Sequence, residues 1–512
     1  GQAVAWVAAE REDQAREAAA HVLVRCEALP AITTIDDAIA QERFHLPPVQ
    51  VARGDVVAAL VAAPNVVEGE VRCGGQDHFY LETQACWAHV DGEGLVQVAA
   101  STQHPSETQA MVAHVLGVAS NRVVCRCLRM GGAFGGKETQ ANQTAAMAAL
   151  AASITGRPVR VKLPRAQDMQ LTGKRHPFLG RYRAGFADDG TLLALDLDLV
   201  ADGGWSCDLS PPVLMRAMVH VDNGYYWPAI RIRGRIAKTH LASNTAFRGF
   251  GGPQGMLIGE EVLDRVARHL GLRPEDVRER NLYREDRGNE TPYGQPVVDN
   301  HLPELWSQLR RTSELDVRRA QVDAFNRAST TRKRGLAMTP VKFGIAFNKT
   351  VYNQAGALVH IYADGSVQLN HGGTEMGQGL HTKMLVVAAR VLGVSPARIQ
   401  LMATSTDKVP NTSATAASSG SDLNGQAVKA ACETLLARLA PVAAQRLGGA
   451  LEDVVLADDH AHLRDRPDTR ITFAEVANAA YNARVSLSAT GFYRTPGLSW
   501  DPVAGQGHPF HY

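Results

Sequence analysis

Four segments of this sequence are built alike, each a stretch crowded with Gly, Ser or Thr followed by an apolar-periodic run long enough for a helix. Residues 131–138 precede the Ala-rich run 141–153, with Gly156 placed as its C-cap. Residues 244–255 precede the run 256–270, residues 372–379 precede 384–392, and residues 411–420 precede 426–439. Helix N-termini carry unpaired N–H groups and a partial positive charge, which suits anions, and glycine lets the backbone come close to them. One such loop is an ordinary turn. Four in one chain, rich in Gln, Thr and Ser, point to a large polar, anionic cofactor gripped from several sides.

The first loop excludes the commonest phosphate chemistry. Gly131-Gly132-Ala133-Phe134-Gly135-Gly136-Lys137-Glu138 nearly spells G-x-x-x-x-G-K-[ST], but Glu138 stands where a magnesium-binding hydroxyl is required. A carboxylate there would repel a triphosphate and must face something else. Lys137 then serves the structure of the loop and not phosphoryl transfer.

Composition narrows the class further. At 512 residues the chain is long enough for two or three domains, with 45% hydrophobic and 21% charged residues. A net charge of +1 gives no reason to expect nucleic acid or an anionic membrane as partner. No apolar run approaches the ~18 residues of a membrane span, and the opening Gly1-Gln2-Ala3-Val4 has no basic signal-peptide region. The seven cysteines show no C-x-x-C spacing and read as reduced core residues of a cytoplasmic protein. There is no H-E-x-x-H and no G-x-S-x-G. The nearest G-x-G-x-x-G begins at Gly249 but has Gln254 in the last place, and His371, His381 and His511 are scattered.

Along the chain, residues 4–8 and 31–35 read as strands around a helix at 11–24, and 46–62 as a linker with a short strand. Strands are expected at 159–163, 192–200, 357–362 and 366–370. The polar, Gly- and Pro-containing stretch 284–296 places a boundary near 290–310.

Residues 129–139, 244–256, 342–345, 372–379 and 492–496 strongly resemble the molybdenum-binding region of the xanthine dehydrogenase family, the molybdenum hydroxylases, in order and over nearly the whole chain. The resemblance implies an α+β fold: the tail of an α/β hammerhead domain (1–45), then two large molybdopterin-binding domains (60–295 and 305–512) with the cofactor between them. The last would be incomplete. It implies a molybdopterin whose molybdenum carries oxo and sulfido ligands and is held through the pterin, so that no protein metal-ligand cluster is needed. The 2Fe-2S and FAD centres would lie in partner domains or a partner subunit, in a dimer of heterodimers. The implied reaction is hydroxylation of purines, hypoxanthine to xanthine to urate.

By the same resemblance Gln103, Phe134, Arg248 and Ala417 line the molybdenum centre without ligating it. Gly132, Phe134, Gly135, Gln378, Ala416 and Ser418 belong to the cofactor-binding loops. Glu138 and Arg216 orient the purine, with Arg216 stabilising negative charge that develops on the ring, and Phe250 and Phe347 sandwich it. Asn348 replaces the family's usual threonine and can still donate and accept. The family's general-base glutamate would lie beyond Tyr512, so the chain reads as a fragment of a molybdenum subunit, inactive alone.

Two alternatives stay open: an aldehyde oxidase-type molybdenum hydroxylase, against which the Glu138/Arg216 pair counts, and a non-catalytic fragment. The reading of the first loop has a direct check. Calorimetry with ATP and magnesium is expected to show no binding, and a micromolar Kd would overturn the assignment of Lys137 and Glu138.

Overall fold

A computed structural model describes residues 3–512; Gly1 and Gln2, the opening of the expected 1–45 segment, lie outside the described residues. The chain packs as two compact units interleaved in sequence. One takes residues up to 29, 77–173 and 351–496, the other 30–76, 174–350 and 497–512. Each unit mixes helices and sheets, in keeping with the α+β expectation. These packing units and the expected domains 60–295 and 305–512 are different partitions of the chain. Among the described residues no helix is long and apolar enough to cross a membrane.

In the unit centred on residues 174–350, a five-stranded sheet runs in the order Val49–Arg53, Ala229–Lys238, Leu192–Gly204, Phe178–Phe186, Asn65–Cys73. Alternation along the strands sends Tyr182, Leu195, Leu197 and Ile232 into the core. The outward positions carry facing charges, Arg231 with Asp196 and Arg183 with Glu68. Helix Gly252–Leu270 covers the inner face with Ile258, Val262, Leu263 and Val266.

That helix reaches its place through glycine. Gly251, Gly255 and Gly259 recur every four residues, one row along a helix. A Cβ on them would lie 2.1, 2.2 and 2.2 Å from the carbonyl oxygens of Val213, Ala217 and Val221. No side chain fits there, so helix Ser210–Met218 and the turn after it lie directly on the glycine row. The structure thereby corrects the reading of residues 252–255 as loop: they are the first turn of the helix, and Gly255 is there for packing and not for anion approach.

In the other unit, a four-stranded sheet (Ile399–Leu401, Val367–His371, Gln354–Ile361, Ser488–Arg494) is backed by helices Leu380–Leu392 and Gly420–Leu447. A second sheet runs Thr404–Ser405, Val123–Cys127, Val96–Ala100, Ala85–Val90, Val159–Lys162, so a strand from the later segment edges a sheet of the earlier one. Helix Ala141–Thr155 packs on it through Ala145, Ala148, Ala149 and Ala152 and ends at Gly156 in the left-handed region, as expected.

The early strands were misjudged. Residues 4–8 form no strand, and 31–35 lead into helix Ile35–Ala40, where the Thr34 hydroxyl accepts the Asp37 N–H; the N-cap outweighs the β-branched run. Helix Glu12–Ala20 is shorter than expected, and residues 46–62 hold helix Val56–Ala62 besides strand Val49–Arg53. All seven cysteines are free: Cys86, Cys125, Cys127 and Cys432 are buried, Cys73 and Cys207 half-buried, and Cys26 exposed, so not all are core residues.

The glycine row supplies a stability test. Ala is the better helix former by about 1 kcal/mol, but at 2.2 Å from a backbone carbonyl the added methyl must push two helices apart. Gly255→Ala is therefore expected to destabilise by a net ~1–3 kcal/mol in denaturant unfolding. A neutral or stabilising result would show that the helices do not depend on this contact.

Candidate active site

Gln103 ties three of the four sequence loops together within one unit. It follows strand Val96–Ala100 and is 3% exposed. Its side-chain oxygen accepts the N–H groups of Gly135 at 2.9 Å and Lys137 at 3.4 Å, and its amide nitrogen donates to the Thr415 carbonyl at 3.1 Å. Its own backbone N–H donates to Lys137 O, and its carbonyl accepts the Thr415 N–H. The Thr415 hydroxyl in turn accepts the Thr374 N–H at 2.8 Å, which fastens the 372–379 loop. Because the side-chain oxygen receives two backbone N–H groups, the orientation of the amide is fixed: only nitrogen can donate to anything further.

Lys137 lies beneath this loop with no exposed side chain, donating to Ser101 Oγ at 2.8 Å and to Glu82 at 3.4 Å over the Tyr80 ring. Burial pushes its pKa down, and Glu82 opposes that without reversing it. Glu82 also accepts the Gly131 N–H at 2.8 Å. The lysine and its carboxylate thus brace both ends of the loop. Glu138 is buried at the loop's end.

The loops differ in what they leave available. Among the described residues no acceptor faces the N–H groups of Gly132, Ala133 and Phe134, nor those of Ala416, Ala417 and Ser418. Phe134, Ala417 and Ser418 hold φ of 54°, 54° and 58°, unfavourable for side-chain-bearing residues. Runs of N–H groups bent through this region form concavities for anions. The Gly135 N–H, by contrast, is taken by Gln103. The 372–379 loop carries its own anion: the Glu375 carboxylate accepts the N–H groups of Gly377, Gly379 and His381. Burial works to raise the Glu375 pKa, but these three donors outweigh it and hold it below the usual carboxylate range. Gln378, exposed, closes the same loop on Met376 N–H and Thr374 O. For this one of the four loops the expectation of an anion cradle is therefore corrected, since its helix end is already met by Glu375. His371 and His381, on either side of this loop in sequence, bring their rings 5.2 Å apart.

The other unit builds a seat for Arg216. The residue is 2% exposed, and its guanidinium donates to the carbonyls of Gly344 at 2.7 Å and Ala346 at 2.5 Å, over the rings of Phe343 and Phe510. Ala346 holds φ of 117°, a conformation alanine rarely adopts, so the turn bearing Phe347 and Asn348 is strained. Asn348 is buried, its amide 3.4 Å from Pro212 O. Phe250, with φ of 53°, packs half-buried on the core just before the glycine row. Arg248 is exposed, and its carbonyl accepts Arg175, whose guanidinium lies 4.0 Å over Phe247.

Sequence reasoning missed two contributors here. Glu82 offered no signal, being one carboxylate among many. His220 stands four residues after Arg216 on a helical spacing, which could have drawn notice.

Comparison with known proteins agrees with this architecture. Residues 39–282 and 308–512 each match a family profile of the molybdopterin cofactor-binding domain. The chain is 47% identical over 513 residues to xanthine dehydrogenase/oxidase of Mus musculus, covering 100% of this chain and 37% of that protein. It is 45% identical over 513 residues to xanthine dehydrogenase of Emericella nidulans, covering 100% and 36%. It spans little more than a third of the length of these relatives. Among solved structures, the aldehyde oxidoreductase from Desulfovibrio gigas superposes with a TM-score of 0.81 at 26% identity, over 98% of this chain and 53% of that one. The quinoline 2-oxidoreductase from Pseudomonas putida 86, with a TM-score of 0.82 at 24% identity over 95% of this chain and 65% of that one, shares the fold. The chain belongs to the molybdopterin cofactor-binding family and corresponds to the molybdenum-binding region of its xanthine dehydrogenase members.

Proposed function

We propose that this chain carries the molybdenum-dependent hydroxylation of purines, hypoxanthine to xanthine to urate. The observation that carries the reading is Arg216, a guanidinium buried and held by two carbonyls where a soluble protein rarely keeps an arginine.

The residues present fit molybdopterin. The open N–H groups of Gly132–Phe134 and Ala416–Ser418 suit its phosphate and polar pterin edges, and the amide nitrogen of Gln103 is the only side-chain group of that residue able to donate to it. When bound, the cofactor supplies the two-electron oxidation of a ring carbon. Everything else falls to the chain. Arg216, fixed by Gly344 and Ala346, takes a purine oxygen and stabilises the negative charge that grows on the ring. Because its donors are set before reaction, little reorganisation is needed. Glu138 faces ring nitrogens as acceptor. Phe250 and Phe347 stack on the flat substrate, and Asn348 adjusts the polar edge in place of a threonine. Arg248 and Ala417 shape the metal's surroundings. Iron–sulfur and flavin centres outside these residues take the electrons, in a dimer of heterodimers within the cytoplasm.

Two measurements test this in the complete enzyme. Arg216→Met is expected to lower xanthine turnover by roughly two to four orders of magnitude, about 3–5 kcal/mol of transition-state stabilisation. Aldehyde turnover, which needs no such contact, should fall far less; equal losses would sink the role given to Arg216. Gln103→Ala removes the side-chain tie between the 131–138 and 411–420 loops. Elemental analysis of the purified variant is expected to find less molybdenum per chain than in wild type, and undiminished loading would show that Gln103 does not organise the cofactor loops.

A further inference from the structure

Beyond Arg216 itself, the geometry points to His220 as the residue that positions it. We infer that His220, as the neutral Nδ1–H tautomer, locks the Gly344–Ala346 turn against the helix of Arg216 and thereby sets the angle at which Arg216 meets a purine. The inference rests on the proposed function.

The tautomer follows from the partners. His220 Nδ1 lies 2.9 Å from the Arg216 carbonyl oxygen, which only accepts, so Nδ1 carries the proton. The Gly344 backbone N–H, which only donates, points at Nε2 from 3.1 Å, so Nε2 is bare. One imidazole therefore bridges the backbone of Arg216 and the backbone of Gly344, whose carbonyl receives the Arg216 guanidinium. The ring is closed: Arg216 side chain to Gly344, Gly344 to His220, His220 to the Arg216 main chain. Phe343 and Phe510, the rings beneath the guanidinium, also flank the imidazole at 5.3 Å each. His220 is fully buried.

The same turn fastens the rest of the segment. Asn223 accepts the Lys342 N–H at 3.0 Å and donates to Pro340 O at 2.9 Å, and Lys342 Nζ lies 2.5 Å from Asp222. Those contacts fix residues 340–342, whereas His220 bonds both Gly344 and Arg216. Burial, with Arg216 and Lys342 adding to it, pushes the His220 pKa well below its ordinary value, so the neutral form is the one present at physiological pH.

The test uses the complete, cofactor-loaded enzyme and, in parallel, the cofactor-free protein. His220→Leu is expected to lower kcat/KM for xanthine about a hundredfold, mostly in kcat, because a reacting group is misplaced and not removed. Aldehyde turnover should fall by less than about tenfold, and calorimetric affinity of the cofactor-free protein for xanthine should weaken. His220→Gln, with a donor and an acceptor on one amide, should recover most of the purine activity. Equal loss of purine and aldehyde turnover in His220→Leu, or no recovery in a stable His220→Gln, would overturn the inference. If His220→Leu does not fold, His220→Asn decides: a purine-to-aldehyde ratio lowered about tenfold supports it, and an unchanged ratio refutes it. A wild-type enzyme without purine turnover would refute the proposed function instead; purine turnover lost in Arg216→Met and intact in every His220 variant would refute only this inference.

Discussion

The contact on which the Arg216 seat depends is the bare edge of helix Gly252–Leu270. Three glycines four residues apart bring its backbone against three carbonyls, also four apart, of the segment carrying Arg216 and leading to His220. Any side chain would hold the two helices apart. From the helix so placed, the Arg216 guanidinium reaches the Gly344 and Ala346 carbonyls. The strain at Ala346 is tolerable because the carbonyls on that turn are held by a buried cation.

The cofactor-type loops obey a different constraint. Their backbones carry many polar groups with few regular hydrogen bonds, and such groups cost free energy when buried unmet. Gln103 meets several at once, and Glu82, Lys137 and Glu375 meet others. Among the described residues, the two short N–H runs 132–134 and 416–418 remain open. The network thus divides the loop backbone into groups spent on shape and groups left for a ligand. A loop's glycine count says nothing about that division: Gly135, Gly377 and Gly379 lie in glycine-rich loops, yet their N–H groups are already used.

Much of this was legible in the sequence. Helix-starting loops, the carboxylate in place of a P-loop hydroxyl, the Gly156 cap and the strands near 159–163, 192–200, 357–362 and 366–370 follow from local rules: turn chemistry, capping and the alternation of apolar residues. Motif resemblance supplied the residue roles. The strand expected at 31–35 gives way to a helix capped by Thr34, and the segment 46–62 holds, besides its strand, a helix capped by Asp55.

What the sequence by itself determined, then, is that a helix follows each of four loops crowded with Gly, Ser or Thr, and which residue types crowd them. Only the tertiary structure decided which of those N–H groups are free, because their acceptors are remote in sequence: Gln103 for Gly135, Glu82 for Gly131. It also decided that the glycines from Gly251 to Gly259 serve helix contact, and that His220 and Arg216 share one aromatic box with Phe343 and Phe510. Local propensity is read within one turn of chain, whereas satisfying a buried polar group depends on whatever the fold brings within about 3 Å of it.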